Sequence, residues 1–152
     1  MNHAKSAEKL FYEKYNCSQA VVCAFSDLTG LDEKTALAIS SSFGGGFGRM
    51  REVCGTVSGA CMVLGLLFGG YTPGDNAAKA AHYALIQDFM ARFKARAGGS
   101  YICRELLGEA QVGGAPSERT PDFYKKRPCP KLVYLAAKIV DEILIEKGYT
   151  NV

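Results

Sequence analysis

Apolar residues recur along most of this chain with the 3.6-residue period of an α-helix. Capping residues divide the pattern into segments, since Asn16 with Gln19 three residues later begins one helix and Asp32 begins the next. We therefore predict a single all-α domain over residues 1–152, built as a bundle of six or seven helices. The predicted helices span residues 6–15, 17–28, 33–40, about 52–68, about 76–97, 101–107 and 129 onward.

The segment 40–70 is the centre of the predicted fold. It opens with a glycine-rich loop and continues into a run from 53 to 72 that carries no charge. The run is at the short limit for a membrane span and is interrupted by glycines, so we predict a buried central helix and expect no membrane span. A loop of glycines serves through its backbone, which reaches positive φ or passes close to another group. The glycines that we expect to line a cofactor or cysteine site are Gly44, Gly45, Gly46, Gly48 and Gly55.

Two other segments are predicted from the same pattern. Residues 108–128 contain paired glycines, three prolines and few aliphatic residues, which indicates an irregular surface loop or a lid. The long helix at 76–97 has an apolar stripe that we expect to face the core. That stripe consists of Ala80, Tyr83, Ala84, Ile86 or Gln87, Met90 and Phe93.

Composition narrows the function classes. The 152 residues carry a formal net charge of +3, and the short basic runs lack the size of a nucleic-acid-binding face, so no nucleic-acid partner is expected. The N-terminus has no apolar export signal, which favours a cytoplasmic location. In that reducing compartment, six cysteines indicate metal binding or redox chemistry more than a disulfide framework.

The positions of the cysteines separate them into two groups. Cys17, Cys54 and Cys129 fall at predicted helix starts, where the helix dipole favours a thiolate, and Cys103 lies in a short helix. Four soft ligands are the number that zinc or an iron–sulfur cluster takes, so these four are candidate metal ligands or redox thiols. Their spacing contains no C-x-x-C pair, which leaves the kind of site open. Cys23 and Cys61 fall within helices and fit as core residues.

Several readings of the neighbouring residues stay open. Long-range disulfides are possible between Cys17 and Cys54 or between Cys103 and Cys129. Arg49 and Arg51 would favour a Cys54 thiolate if they point inward, although arginines of this kind are more often solvated. The glycine loop could hold a phosphate at a helix start, but it lacks the strand and GK[ST] context of a nucleotide site.

The two histidines are weaker candidates. His82 lies on the long predicted helix and could be a ligand or a proton relay, although a half-exposed structural histidine is the commoner case. His3 lies in a terminus that we expect to be frayed. Neither histidine is assigned a role from the sequence.

The cysteine motifs resemble those of the C-GCAxxG-C-C family of redox-active proteins. The resemblance rests on Cys17-Ser-Gln-Ala, the glycine loop, Val53-Cys-Gly-Thr-Val-Ser-Gly59, Cys103-Arg-Glu-Leu-Leu-Gly108 and Cys129-Pro, and it covers about residues 5–145. The central motif departs from the family pattern in the order of Gly and Cys and in carrying Thr56 in place of Ala. The family is also similar to part of split-Soret cytochromes, which contain haem and an iron–sulfur centre. This chain has no C-x-x-C-H motif, so covalent haem is not expected.

The sequence thus favours a redox-active protein whose four cysteines either bind an iron–sulfur or other metal centre or cycle between thiols and a disulfide. Any enzymatic activity would depend on that centre or those thiols, and an unidentified redox partner is implied. Two alternatives remain. One is a helical interaction module, possible as a homodimer, in which the cysteines only fill the core. The other is a small-anion binder that uses the glycine loop.

Overall fold

Side-chain caps fix the beginnings of several helices, two of which, at Asn16 and Asp32, the sequence predicts. The Asn16 side chain accepts a hydrogen bond from the Gln19 backbone N–H at 2.8 Å, and the Gln19 side chain accepts one from the Asn16 N–H at 3.1 Å. The Asp32 and Asp75 carboxylates cap later helices by each accepting a hydrogen bond from one backbone N–H, of Thr35 and Ala78. Each cap satisfies a backbone donor that the helix itself leaves unpaired.

The structure is a computed structural model that describes residues 2–108, 111–150 and 152. Among these residues, six helices have eight or more residues and no strand is present beyond a single bridge between Val53 and Ile102. The prediction of an all-α domain of six or seven helices is therefore confirmed. The helical segments are α1 His3–Tyr12, α2 Cys17–Ala24, α3 Ser26–Thr29, α4 Glu33–Ser40, α5 Gly44–Phe47, α6 Gly55–Phe68, α7 Asn76–Arg96, α8 Cys103–Leu107, α9 Pro121–Lys126 and α10 Cys129–Glu146. Of these, α5 is a left-handed turn and the others are right-handed.

The core lies between α6 and α10, with α1 packed along α10 and α2 packed along α6. A Cβ atom added at Gly59 would lie 2.8 Å from the Ser18 carbonyl oxygen, so the lack of a side chain lets the backbones of α6 and α2 approach closely. The predicted central helix is thus α6. Among the described residues, no helix combines the length and apolar character required to cross a membrane. The largest fully buried side chains include Phe25, Leu64, Phe89, Phe93, Ile139, Ile143 and Leu144.

Several helix boundaries differ from the prediction, including that of the first helix, which spans His3–Tyr12 instead of 6–15. The second predicted helix is interrupted at Phe25, and α3 then ends at Gly30 with φ of 73°. The central helix begins at Gly55, so Cys54 precedes its first turn as the N-cap residue instead of lying within it. The reason is that Glu52 is held by backbone pairing, since its carbonyl accepts a 2.6 Å hydrogen bond from the Cys103 N–H. Cys103 is in turn the first residue of α8.

The segment 108–128 is irregular over much of its described length, but it contains one helix that the turn-rich sequence concealed. Helix α9 begins after Thr120, whose hydroxyl accepts a hydrogen bond from the Phe123 N–H at 3.1 Å. Pro121 occupies the first helical position, where its missing N–H costs nothing. Residues 109 and 110 lie outside the described part of the chain.

The inward stripe predicted for α7 is wrong in its first half. Ala80, Ala84 and Gln87 are exposed, and Tyr83 is 50% exposed, whereas Phe93 at the other end of the stripe is fully buried. The face of α7 that packs on the core is rotated away from the predicted stripe, since it contains Leu85, Ile86, Phe89, Met90 and Phe93. Apolar residues are spread too evenly around α7 for their periodicity to fix the direction of that face.

The N-terminus is anchored, so the prediction that His3 is frayed is also wrong. His3 is fully buried and stacks on the ring of Phe25, with 4.3 Å between centroids. Its Nδ1 lies 2.7 Å from Asp141 Oδ1, and its Nε2 lies 3.0 Å from both carboxylate oxygens of Asp27. His3 therefore joins α1 to α3 and α10.

Candidate cysteine site

Four helix starts bring their cysteines to one pocket. Cys17, Cys103 and Cys129 are the first residues of α2, α8 and α10, and Cys54 is the N-cap of α6. All four line the same pocket, whose volume is about 320 Å³. The four residues that the sequence singled out are therefore near one another, whereas their roles as ligands or redox thiols stay predictions.

The glycine loop acts through its backbone in two ways. Gly44 and Gly46 pass too close to other atoms to carry a side chain, since a Cβ at Gly44 would lie 2.7 Å from the Asn16 side chain and one at Gly46 would lie 2.9 Å from Cys103 Cβ. A Cβ at Gly55 would meet Cys17 Sγ directly. The lack of side chains at Gly46 and Gly55 thus leaves room for Cys103 and Cys17, and a role of the glycines in holding a cofactor stays a prediction.

The backbone of this loop is also left-handed over five consecutive residues. Glycine adopts this conformation freely, but each non-glycine residue costs about 1–2 kcal/mol. Hydrogen bonds hold the conformation, with the Arg51 N–H donating to the Gly45 carbonyl and the Glu52 N–H to the Gly46 carbonyl, both at 3.1 Å. The positive φ angles are 66° at Gly45, 71° at Gly46, 66° at Phe47, 56° at Gly48 and 67° at Arg49, followed by 60° at Arg51.

The prediction that helix starts stabilise the thiolate form of these cysteines is wrong. Burial raises the pKa of the Cys17 and Cys54 thiols well above the ordinary value, and it raises the pKa of Cys129 to about 12. Repulsion among the neighbouring cysteines adds to the effect, while a hydrogen bond from the Gly45 N–H opposes the shift at Cys17. Loss of water outweighs the helix dipole here because the thiols are enclosed. These three thiols are neutral near pH 7, and a metal would have to displace their protons.

Arginine side chains line the pocket. The expectation that they are solvated is wrong for Arg51, which is buried, whereas Arg49 is half-exposed. Arg51 is only 4% exposed, and its Nη1 lies 3.8 Å from Cys103 Sγ. Arg119 and Arg127 also line the pocket, and sequence reasoning missed both of them. The position of Arg127 two residues before Cys129 is the one sequence signal that could have identified it.

Residues 111–127 lie over the pocket and are fastened to the glycine loop. The Gly113 N–H donates to the Arg49 carbonyl at 2.8 Å, and Arg51 Nε donates to the Gln111 carbonyl at 3.1 Å. The Arg49 guanidinium also donates to the Ala115 carbonyl. The part of the predicted lid that the structure describes therefore closes the pocket from one side.

The remaining cysteines and His82 lie elsewhere. Cys23 lies in α2 and Cys61 in α6, and burial raises the pKa of each to about 11. Cys61 shares a shallow cleft with His82, whose buried Nδ1 has no hydrogen-bond partner in the described part of the chain. None of these three residues reaches the four-cysteine pocket.

Neither predicted disulfide is formed, since all six cysteines are free thiols. Across residues 2–108, 111–150 and 152, no three His, Cys, Asp or Glu side chains are grouped closely enough to hold a metal ion. Cys17 and Cys54 are nevertheless neighbours, because Cys17 Sγ lies against Gly55. Metal ligation and disulfide formation by these cysteines both stay predictions.

One comparison with known proteins bears on the pocket. Residues 15–143 match the family model described as "Putative redox-active protein (C_GCAxxG_C_C)". No curated protein and no solved structure matches the chain. The matched region contains all four pocket cysteines and the glycine loop. Since the match covers most of the chain, the protein belongs to the C_GCAxxG_C_C family.

Proposed function

We propose that Cys17, Cys54, Cys103 and Cys129 bind an iron–sulfur cluster and that the protein transfers electrons through it. The observation that carries the proposal is that four thiols from four separate helix starts line one pocket. Four cysteine thiolates are the usual ligand set of such clusters. Membership in a family described as redox-active supports the same chemistry.

The chemistry of the pocket suits this group. In a cluster the thiolates bind different iron atoms, so its ligands need not come as close together as the ligands of a single ion. Four thiolates bring negative charge, and the buried guanidinium of Arg51 beside Cys103 offsets part of it. When bound, the cluster would supply one-electron transfer. The lid residues would limit the access of water, and Gly55 would keep Cys17 Sγ free to turn toward the pocket.

Anaerobic reconstitution tests the proposal. Purified protein is treated with ferrous iron, sulfide and a thiol reductant, and then analysed for iron, acid-labile sulfide and zinc and by visible absorption. We expect iron and sulfide in equal amounts with a broad charge-transfer band. Cys54→Ser and Cys129→Ser should each lose most of the bound iron. Cys23→Ser and Cys61→Ser are matched controls and should retain it. Wild-type protein without iron or sulfide would contradict the proposal, as would equal iron retention in all four variants.

A second candidate function is a dithiol–disulfide cycle between Cys17 and Cys54. It is favoured by the position of Cys17 Sγ against Gly55, the residue next to Cys54. Oxidation would join the two sulfur atoms and release two protons, and the two electrons would pass to a disulfide of the oxidant. Incubation of metal-free protein with oxidised glutathione tests it. This mechanism predicts that the chain loses the mass of two hydrogen atoms and that peptide mapping finds a 17–54 cross-link, and six remaining thiols would contradict it.

A further inference from the structure

The arginines of this protein divide sharply by location. The chain has seven, and three of them, Arg92, Arg96 and Arg104, form ion pairs with carboxylates on the surface. The other four line the cysteine pocket. No Asp or Glu is among the described residues that line this pocket, and none in the described part of the chain forms an ion pair with a pocket arginine. The pocket therefore concentrates positive charge without balancing it.

The pocket arginines retain unused donors. The Arg49 Nε is buried and has no hydrogen-bond partner among the described residues. Arg51 donates from Nε to a backbone carbonyl and has only the distant Cys103 sulfur near its Nη1. Burial, together with the charges of Arg51 and Arg127, lowers the pKa of Arg49, as expected when cations gather without an anion. An unpaired buried guanidinium is costly, so this arrangement favours a bound anion.

Arg119 differs from Arg49 and Arg51, which each donate to one backbone carbonyl of the lid, because both of its Nη atoms donate to carbonyls. Its Nη1 donates to the Phe11 carbonyl at 2.9 Å and its Nη2 to the Tyr15 carbonyl at 3.1 Å. Its guanidinium also lies 4.2 Å from the centre of the Phe11 ring. Arg119 therefore anchors the lid to α1, and Arg49, Arg51 and Arg127 remain for a ligand.

The walls of the pocket indicate what kind of anion fits. Phe11, Leu106, Phe123 and Leu132 contribute apolar surface to the same pocket. The Arg127 guanidinium lies 5.1 Å from the centre of the Phe123 ring, so charged and apolar surfaces adjoin there. A guanidinium matches the planar oxygens of a carboxylate or the oxygens of a phosphate through paired hydrogen bonds. A ligand that satisfies both surfaces carries an anionic head and an apolar body. An inorganic ion carries the negative charge but has no apolar body.

We propose that the pocket beside the four cysteines binds a small organic anion whose carboxylate or phosphate group is held by Arg51, Arg49 and Arg127. The arginine side chains, and not the backbone of the glycine loop, are the binding groups. The anion lies next to the thiols and is thus the class of reactant that the redox site would act on. The inference that the anion is a reactant rests on the proposed function. The inference that the arginines bind an anion does not depend on that function.

The test is an NMR titration of the metal-free, reduced full-length chain, followed through the arginine Nε–H signals. The probes are benzoate and phenyl phosphate, with benzyl alcohol as the apolar body without charge and inorganic phosphate as the charge without an apolar body. We expect both organic anions to shift the Arg49 and Arg51 signals and to bind about tenfold more tightly than either control probe. No shift with either organic anion, or equal affinity for benzyl alcohol or inorganic phosphate, would overturn the proposal.

Variants assign the binding to the arginines. Arg51→Gln should weaken binding about tenfold, whereas Arg96→Gln, a surface arginine paired with Glu142, should change it less than about twofold. Equal losses in both variants would refute the assignment. If Arg51→Gln does not fold, the half-buried Arg127→Gln decides, with weaker binding supporting the site and unchanged binding overturning it. Anion binding without iron incorporation on reconstitution would reject the proposed cluster and leave the anion site intact.

Discussion

Cys17 Sγ can occupy its position only because residue 55 is a glycine and has no side chain. A Cβ there would meet the sulfur and would also lie 2.6 Å from the Phe43 carbonyl oxygen. Gly65 is in the same helix, but a Cβ at that position has no atom within 4 Å. Close packing therefore requires glycine at position 55, whereas position 65 in the same helix has space for a side chain.

This contrast gives a paired prediction. Gly55→Ala should lower the free energy of unfolding by about 1–3 kcal/mol, because overpacking forces Cys17 or the Phe43 backbone to move. Gly65→Ala should raise it by about 0.5–1 kcal/mol, because alanine is the better helix residue. Urea denaturation measures both values. Equal effects of the two substitutions would show that Cys17 does not pack against Gly55 as described.

The left-handed loop is the element that connects the glycines to the cysteines. Within it, Gly46 needs both its positive φ and its lack of a side chain, because a Cβ would also lie 2.7 Å from the Glu52 nitrogen. Gly48 needs only the positive φ, since its nearest neighbour would be 4.0 Å away. The loop therefore offers a way to separate backbone strain from crowding at the site.

Gly48→Ala should cost about 1–2 kcal/mol of unfolding free energy from strain alone. Gly46→Ala should cost about 1–3 kcal/mol more, because the added methyl group displaces Cys103 or the backbone at Glu52. Urea denaturation of both variants, with the rate of thiol labelling at Cys103, provides the measurement. If Gly48→Ala were the more damaging change, the close approach of Gly46 to α8 would be disproved.

Arg119 anchors the lid to α1 and to the residues that follow it, so Arg119→Lys should loosen the lid. Lysine cannot donate simultaneously to the Phe11 and Tyr15 carbonyls in the forked geometry of a guanidinium. We expect amide hydrogen exchange to accelerate about tenfold across residues 111–127. The amides of α6 in the same sample are the internal control and should be unchanged. Uniform acceleration in both regions would indicate global destabilisation and would refute a specific anchor.

For the whole molecule, local signals in the sequence predicted where helices begin better than they predicted which side chains are buried. Caps such as Asn16 and Asp32 act within one helical turn, so the sequence located them correctly. Whether Arg51 is buried depends on a lid some sixty positions away, which no local pattern records. The same limit explains why the Cys54 pKa was predicted in the wrong direction, since the degree of enclosure outweighs the helix end. The family motifs singled out the four cysteines because they link positions that are far apart in the sequence, which a local pattern cannot do.

His3 also acts at the scale of the whole molecule, because it joins the first, third and last helices through Asp27 and Asp141. Burial opposes its protonation, but the hydrogen bonds that its ring donates to the two carboxylates, with their negative charge, outweigh burial and raise the His3 pKa. The protonated form is thus favoured by folding. Its contribution is fully present below the unfolded pKa of about 6.5 and is lost as the pH rises through the higher folded pKa.

His3→Gln should therefore destabilise the protein more at pH 5.5 than at pH 9, with about 1.4 kcal/mol of difference for each unit by which folding raises the pKa. Urea unfolding of wild type and variant at both pH values measures the difference directly. Subtracting the variant removes the contributions of groups that titrate identically in both proteins. A destabilisation that is constant with pH, or larger at pH 9, would mean that His3 is buried as a neutral ring and that the two carboxylates do not hold its proton.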